Sequence, residues 1–265
     1  VCNNIGLTLQ KQGKLDEAIK YYTRSILIKP GFDEAHYNLI YALAMQNRLD
    51  EAIAYYRQVL HIEISDAEAY NLFGNTLQAR NEPDMAAEQF EKALQIDSGD
   101  FELQMRTGIM LASQGNIDNA IRYFAQAVRL EPNNPEALYN MGVALTMDNK
   151  PREAIEYLKG AFEANPSWPE PAIWLARILA ANPDPQIRDP NGAVAIALKA
   201  AELTQYHNAE ALEILAVSYA AAGRYDEAAE TAQKALSQAE ADKNEDLAGA
   251  LRDMLEQYKN QSGLK

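Results

Sequence analysis

Every 34 residues this chain repeats itself. Small residues stand at Gly6, Gly74, Gly108 and Gly142, with Ile40 in the remaining slot. Ala18, Ala52, Ala86, Ala120 and Ala154 keep the same step, and so do Tyr22, Tyr56, Phe90, Phe124 and Leu158. A looser row is Pro30, Ile64, Ser98, Pro132 and Pro166. A period of this length describes one supersecondary unit that cannot bury its apolar face alone, so stacked neighbours share a continuous core.

Each unit divides into two helical patterns. In the second unit the first helix is expected over Asp33–Gln46 and the second over Asp50–Glu63, with Asn47-Arg48-Leu49-Asp50 as the turn. Asp50 is placed as an N-cap, with Glu51 at the positive end of the helix dipole. Gly13, Asn47, Asn81, Gly115 and Asn149 suit a left-handed helix end. The small residues of the Gly6 and Ala18 rows let the two helices approach. The aromatic of the Tyr22 row is expected to fill the gap against the next unit.

The units run over 1–32, 33–66, 67–100, 101–134, 135–168, 169–207 and 208–242. The sixth carries about five extra residues between Asn182 and Gly192, where three prolines forbid a continuous helix. Arg188, between Asp184 and Asp189, is expected to pair locally there. Residues 245–260 read as a further amphipathic helix with Leu247, Leu251, Met254, Leu255 and Tyr258 on one face, suited to a solvating cap. Val1 falls at the third position of its unit. That reads as a fragment with an open N-terminal edge and more repeats or another domain upstream.

Stretches such as Asn3-Asn4-Ile5-Gly6, Gln12-Gly13-Lys14-Leu15-Asp16-Glu17-Ala18-Ile19 and Ala137-Leu138-Tyr139-Asn140-Met141-Gly142 resemble the tetratricopeptide repeat (TPR). The resemblance covers nearly the whole chain. It implies an all-α, right-handed superhelical solenoid of about seven helix-turn-helix units plus a C-terminal capping helix. The first five units are similar to the TPR region of O-linked N-acetylglucosamine transferase and of bacterial multi-TPR proteins.

Composition narrows the function classes. Of 265 residues, 24 are Lys or Arg and 38 are Asp or Glu, a net charge of −14. That balance argues against nucleic acid and against an anionic membrane surface, and favours a basic or neutral partner. Cys2 is the single cysteine, so no intramolecular disulfide and no cysteine zinc site forms. No apolar run is long enough to span a bilayer, and a cytoplasmic location fits. The three histidines, His36, His61 and His207, show no metal-ligand spacing. His36 reads as a half-buried packing residue. There is no phosphate-binding loop and no nucleophile with a base beside it. No catalytic residue, metal or cofactor is therefore expected. Asn260-Gln261-Ser262 matches a glycosylation acceptor, a short pattern common by chance.

In the family that the chain resembles, the first helices line a concave groove. Phasing the units places Tyr37, Asn38, Tyr41, Met45, Asn71, Asn75, Gln78, Met105, Arg106 and Ile109 on that floor, followed by Tyr139, Asn140, Val143, Met147, Ile173, Trp174 and Arg177. Met and Tyr suit an extended or adaptable peptide. A partial asparagine row (Asn4, Asn38, Asn140, with Asn71 one place earlier) resembles the asparagine-lined repeats of the glycosyltransferase, broken by Leu72, Arg106, Trp174 and Ile214. A glutamate row, Glu34, Glu68, Glu102, Glu136, Glu170 and Glu210, sits where the helix dipole favours acids and, if it faces the groove, selects Lys or Arg. The Lys and Arg set of a co-chaperone carboxylate clamp is absent.

The expectation is a non-catalytic scaffold that binds a protein or peptide, basic or apolar, in its groove. Two alternatives are a substrate-positioning region of a larger enzyme such as a glycosyltransferase, and a structural element self-stacking through the N-terminal repeat.

Overall fold

The computed structural model describes residues 1–46, 48–58 and 65–262. Asn47, His61, Ile64 and the end of the second-unit helix to Glu63 lie outside the described residues, as do the side chains of Asp50 and Tyr56. Every element among the described residues is an α-helix. The chain forms two compact units, Val1–Tyr123 and Phe124–Lys265. The first contains α1 (Cys2–Lys11), α2 (Leu15–Ile28), α3 (Asp33–Met45), α4 (Leu49–Gln58), α5 (Asp66–Ala79), α6 (Pro83–Ile96) and α7 (Phe101–Ser113). Helix α8 (Ile117–Leu130) crosses the division. The second contains α9 (Pro135–Met147), α10 (Pro151–Ala164), α11 (Pro169–Ala181), α12 (Pro190–Leu203), α13 (Ala209–Ala221), α14 (Tyr225–Ala241) and α15 (Glu245–Ser262).

One backbone device makes the tight turns. Gly13, Gly115 and Gly223 take φ of 77°, and Asn81 and Asn149 take 63° and 56°, the left-handed region that ends a helix. In the first turn the Gly13 N–H donates to the Gln10 carbonyl and the Lys14 N–H to the Leu9 carbonyl, at 2.9 Å each. This double closure recurs at Asn81–Glu82 and Asn149–Lys150. Lys14, Glu82 and Lys150 thus finish one helix and begin the next, with ψ of 65°, 67° and 61° and no capping side-chain hydrogen bond. The expected Asp50 cap is therefore corrected. Helix α4 starts at Leu49, so Asp50 falls inside its first turn. Asp16, Asp84 and Asp226 do the same in their helices, which leaves them the dipole role alone.

Side-chain caps stand instead on the first helices α5, α7, α9 and α13. Ser65 and Glu68 form a reciprocal capping box on α5. Asp100 accepts from the Leu103 N–H at 2.9 Å, and Asn208 from the Ala211 N–H at 2.8 Å. Asn134 accepts from the N–H groups of Glu136 and Ala137 at 3.0 and 3.1 Å. Asn134→Ala is expected to destabilise the α9 hairpin by about 1 kcal/mol and Asn134→Gly by a few tenths. Urea melts paired with amide exchange in the first turn of α9 check this.

The small-residue row packs as a lock within each unit. A Cβ at Gly6 would lie 2.5 Å from Tyr22 Cε1, at Gly74 2.2 Å from Phe90 Cε1, and at Gly142 2.7 Å from Leu158 Cγ. All three partners are fully buried. The large residue therefore stands over the glycine of its own unit, a correction to the expected packing against the next one. Hydrogen at that glycine lets the two helix axes close until the ring meets backbone.

Two irregularities shape the second unit. The insertion after α11 is anchored by the buried Ile187. Asp184 pairs with Arg152 at 3.0 Å, and Asp189 accepts from the Gly192 N–H to cap α12, also at 3.0 Å. The expected local role of Arg188 is thus corrected: Asp184 reaches back to the preceding hairpin. After α12 the chain passes through left-handed Gln205 and Tyr206, a turn with no glycine to announce it. At the C-terminal end α15 lays Ala248, Leu251 and Leu255 on an alanine-rich seam that includes Ala229, Ala232, Ala235 and Ala239. Leu247, Met254 and Tyr258 pack at its margin, as the amphipathic pattern implies.

Candidate functional site

Which side of a unit faces inward follows from helix contacts. In the second unit α9 touches α11 and α11 touches α13, whereas α10, α12 and α14 make no comparable contact with one another among the described residues. First helices that approach each other while second helices splay make an inner face on the first-helix side. In the first unit α1 touches α3 and α3 touches α5.

Only some of the floor residues expected from the repeat phase are open on these faces. In the first unit Tyr37 is 63 % exposed and Ile109 49 %. Asn75 and Gln78 are exposed, and Met45, Asn71 and Arg106 are half-buried. In the second unit Met147 is 55 % exposed. Arg177 is exposed, and Tyr139, Asn140, Val143 and Trp174 are half-buried.

Asn38, Tyr41, Met105 and Ile173 are buried, and their expected place on the open floor is corrected. A helical stripe has two flanks, and the flank turned to a neighbouring helix is consumed in packing. Ile173 joins the C-terminal apolar cluster. Asn38 sits in a polar ladder between first helices. Its amide donates to Asn3 Oδ1 at 3.0 Å, Asn3 donates to Glu34 Oε1 at 3.1 Å, and the Arg80 guanidinium donates to Asn38 Oδ1. Arg80 also lies over the Tyr41 ring at 5.1 Å. Burial raises the Tyr41 phenol, with Glu82 adding to the shift and Arg80 opposing it.

The asparagines are thus employed inside the protein. Asn75 donates to Asn71 at 3.3 Å and accepts from Arg106 at 2.5 Å, and Asn140 donates to the Glu136 carbonyl of its own helix at 2.8 Å. His36 bonds the Pro30 carbonyl at 2.7 Å and the Tyr55 hydroxyl, a structural role that matches its expected half-burial. The glutamate row divides. Glu34 and Glu68 accept from Asn3 and Ser65, whereas Glu170 Oε2 is buried with no hydrogen-bond partner among the described residues.

Aromatic and charged groups meet on the inner face of the second unit. The Tyr139 and Trp168 rings are tilted at 54° with centroids 4.7 Å apart. The Arg177 guanidinium lies 5.8 Å from the Trp174 ring and pairs with Glu213 at 3.3 Å. Burial raises the Tyr139 phenol, the Trp174 side chain pulls it down as a hydrogen-bond partner, and Glu170 and Glu210 push it up. The repeat phase alone missed Asn3, Arg80 and Trp168. Arg80 and Trp168 stand at a helix end and in a turn, outside the helix positions that the phase assigns to the floor.

Among the described residues, no helix is long and apolar enough to cross a membrane, and no group of three metal-ligating side chains could hold an ion. No curated protein matches the chain significantly. Solved structures share the fold, three of them as follows. MamA from Desulfovibrio magneticus is 22% identical, with a TM-score of 0.58, over 66% of this chain and 96% of that one. A thermophilic TPR protein from Thermus thermophilus is 22% identical, with a TM-score of 0.53, over 71% and 98%. The C-terminal part of a TPR repeat-containing protein from Cytophaga hutchinsonii is 18% identical, with a TM-score of 0.53, over 99% of both chains. Tetratricopeptide-repeat family models match residues 3–69, 71–135 and 187–246, and a further one matches 111–178. By those matches and its helix-pair architecture, the chain belongs to the tetratricopeptide-repeat family, with a scaffold fold consistent with protein–protein interaction.

Proposed function

We propose that the chain is a non-catalytic scaffold that binds peptide segments of a partner protein on the first helices of each compact unit. The observation that carries this is the exposure of large apolar side chains there: Tyr37, Ile109 and Met147 stand open on helices whose other large residues are mostly packed. Aromatic and Met side chains on a preformed face offer contact area at low ordering cost. Tyr41 is no probe of this surface, because its truncation would disturb packing under Arg80.

The test is a combined Tyr37→Ala, Ile109→Ala and Met147→Ala variant. Exposed positions of this kind alter folding stability by about 0.5 kcal/mol or less each, so the helical melt should be nearly unchanged. Interface anchors contribute more than about 1 kcal/mol each, so partner retention by the immobilised chain should fall at least about tenfold. Undiminished retention by a folded variant overturns the proposal.

A further inference from the structure

The inner face of the second unit carries an unbalanced charge. Helices α9, α11 and α13 contain Glu136, Glu170, Glu210 and Glu213 against a single cation, Arg177. That cation shows what the surface can hold. Its guanidinium lies over the Trp174 ring and is gripped by the Glu213 carboxylate. An aromatic face beside a carboxylate is the environment in which a desolvated cation is most favourably placed.

One helix over, the same materials recur without a cation of their own. Tyr139 packs tilted against Trp168, and Glu170 Oε2 is buried without a hydrogen-bond partner among the described residues. Glu210 stands exposed at the equivalent place of the next first helix. Both carboxylates lie close enough to the Tyr139 phenol to oppose its ionisation. In the first unit Glu34 and Glu68 are satisfied internally. Glu34 accepts from Asn3, Glu68 closes a capping box with Ser65, and Arg80 and Arg106 lie over Tyr41 and Phe90. A buried carboxylate oxygen left without a donor is costly, and an incoming cation relieves that cost.

Resting on the groove reading above, we infer that the second unit takes a basic peptide, seating an arginine or lysine side chain against the Tyr139 and Trp168 rings between the carboxylates of Glu170 and Glu210. The partner is thereby assigned a chemistry, a segment with a cationic side chain among apolar ones, and the acidic face supplies its specificity.

Trp168 and Trp174 are the only two tryptophans of the chain, so tryptophan emission, excited selectively over tyrosine, reports on this place alone. The probe is a short, end-blocked peptide repeating Arg-Ala-Leu-Ala, compared with the same peptide carrying citrulline, a neutral isostere, for arginine. Titration of the full chain with the arginine peptide is expected to shift the tryptophan emission. The citrulline peptide should bind about tenfold or more weakly. A Glu170→Gln, Glu210→Gln variant should lose the preference, and added salt should weaken the arginine peptide selectively. Equal binding of the two peptides to the unaltered chain overturns the cation seat while leaving the groove reading intact. No emission change with the arginine peptide also overturns it. Failure of the groove reading itself appears separately, as undiminished partner retention by the Tyr37, Ile109 and Met147 variant.

Discussion

Phe90→Ala is expected to be the most damaging truncation in the first unit, destabilising the α5–α6 hairpin by about 3–5 kcal/mol. The ring is fully buried and stands on Gly74, so its removal leaves a void between two helices held at their spacing by other contacts. The reciprocal change tests the same lock from the other side. In Gly74→Ala the new methyl would lie 2.2 Å from Phe90 Cε1 and 2.4 Å from Cδ1. Overpacking of this kind costs about 1–3 kcal/mol, and a ring enclosed on every side has little room to yield. Because the two residues touch, the effects should not add. Gly74→Ala combined with Phe90→Leu is expected to be more stable than the sum of the two single losses allows. Repeat arrays open locally, so amide exchange in α5 and α6 is the decisive measurement, alongside urea melts.

The second large effect is expected at the other end of the chain. Leu251 is fully buried where α15 covers the alanine-rich seam. Leu251→Asp removes its apolar contacts and places a carboxyl group among Ala and Leu side chains, a loss of about 4–5 kcal/mol. Burial of that carboxyl raises its folded-state pKa above the unfolded value of about 3.9. Stability from a raised acid is present below the unfolded pKa and lost as pH rises through the folded one. The gap between variant and parent should therefore be smaller at pH 4 than at pH 7. A gap independent of pH would place residue 251 in contact with water and contradict the capping role of α15.

These two sites also show what could be read before any coordinates. The small row of Gly74 and Gly142 and the large row of Phe90 and Leu158 are written in the 34-residue spacing, but that each large residue stands over the glycine of its own unit is not, because the step relates equivalent positions of different units. The left-handed turns were equally legible at Gly13, Asn81, Gly115 and Asn149, since few residue types tolerate positive φ. The face of α15 followed from its spacing of Leu251 and Leu255. The cap expected at Asp50 lies two residues past the true cap position, Arg48, because the turn closes through backbone bonds that leave no side-chain signature.

The site was legible only in outline. Repeat phase places Tyr37, Asn38, Tyr41 and Met45 on one stripe, and it does not say which flank of that stripe a neighbouring helix covers. Tyr37 is open and Asn38 is buried one position later. Arg80 and Trp168 act from a helix end and a turn, where periodicity carries no information. The split of the glutamate row, with Glu34 and Glu68 engaged and Glu170 Oε2 without a partner, depends on donors brought in by tertiary packing.

The alanine seam beneath α15 has a thermal consequence. Alanine brings no rotamer entropy to lose and little apolar area per residue, so its packing rests on close contact more than on area withdrawn from water. Heat capacity of unfolding follows exposed apolar area, at about 0.45 cal/K/mol/Å². The terminal helices of the second unit therefore carry a small heat-capacity increment for their length. Their local stability curve is flat, holding that end closed over a broad span of temperature where a Leu-rich pair of similar stability would show a sharper optimum.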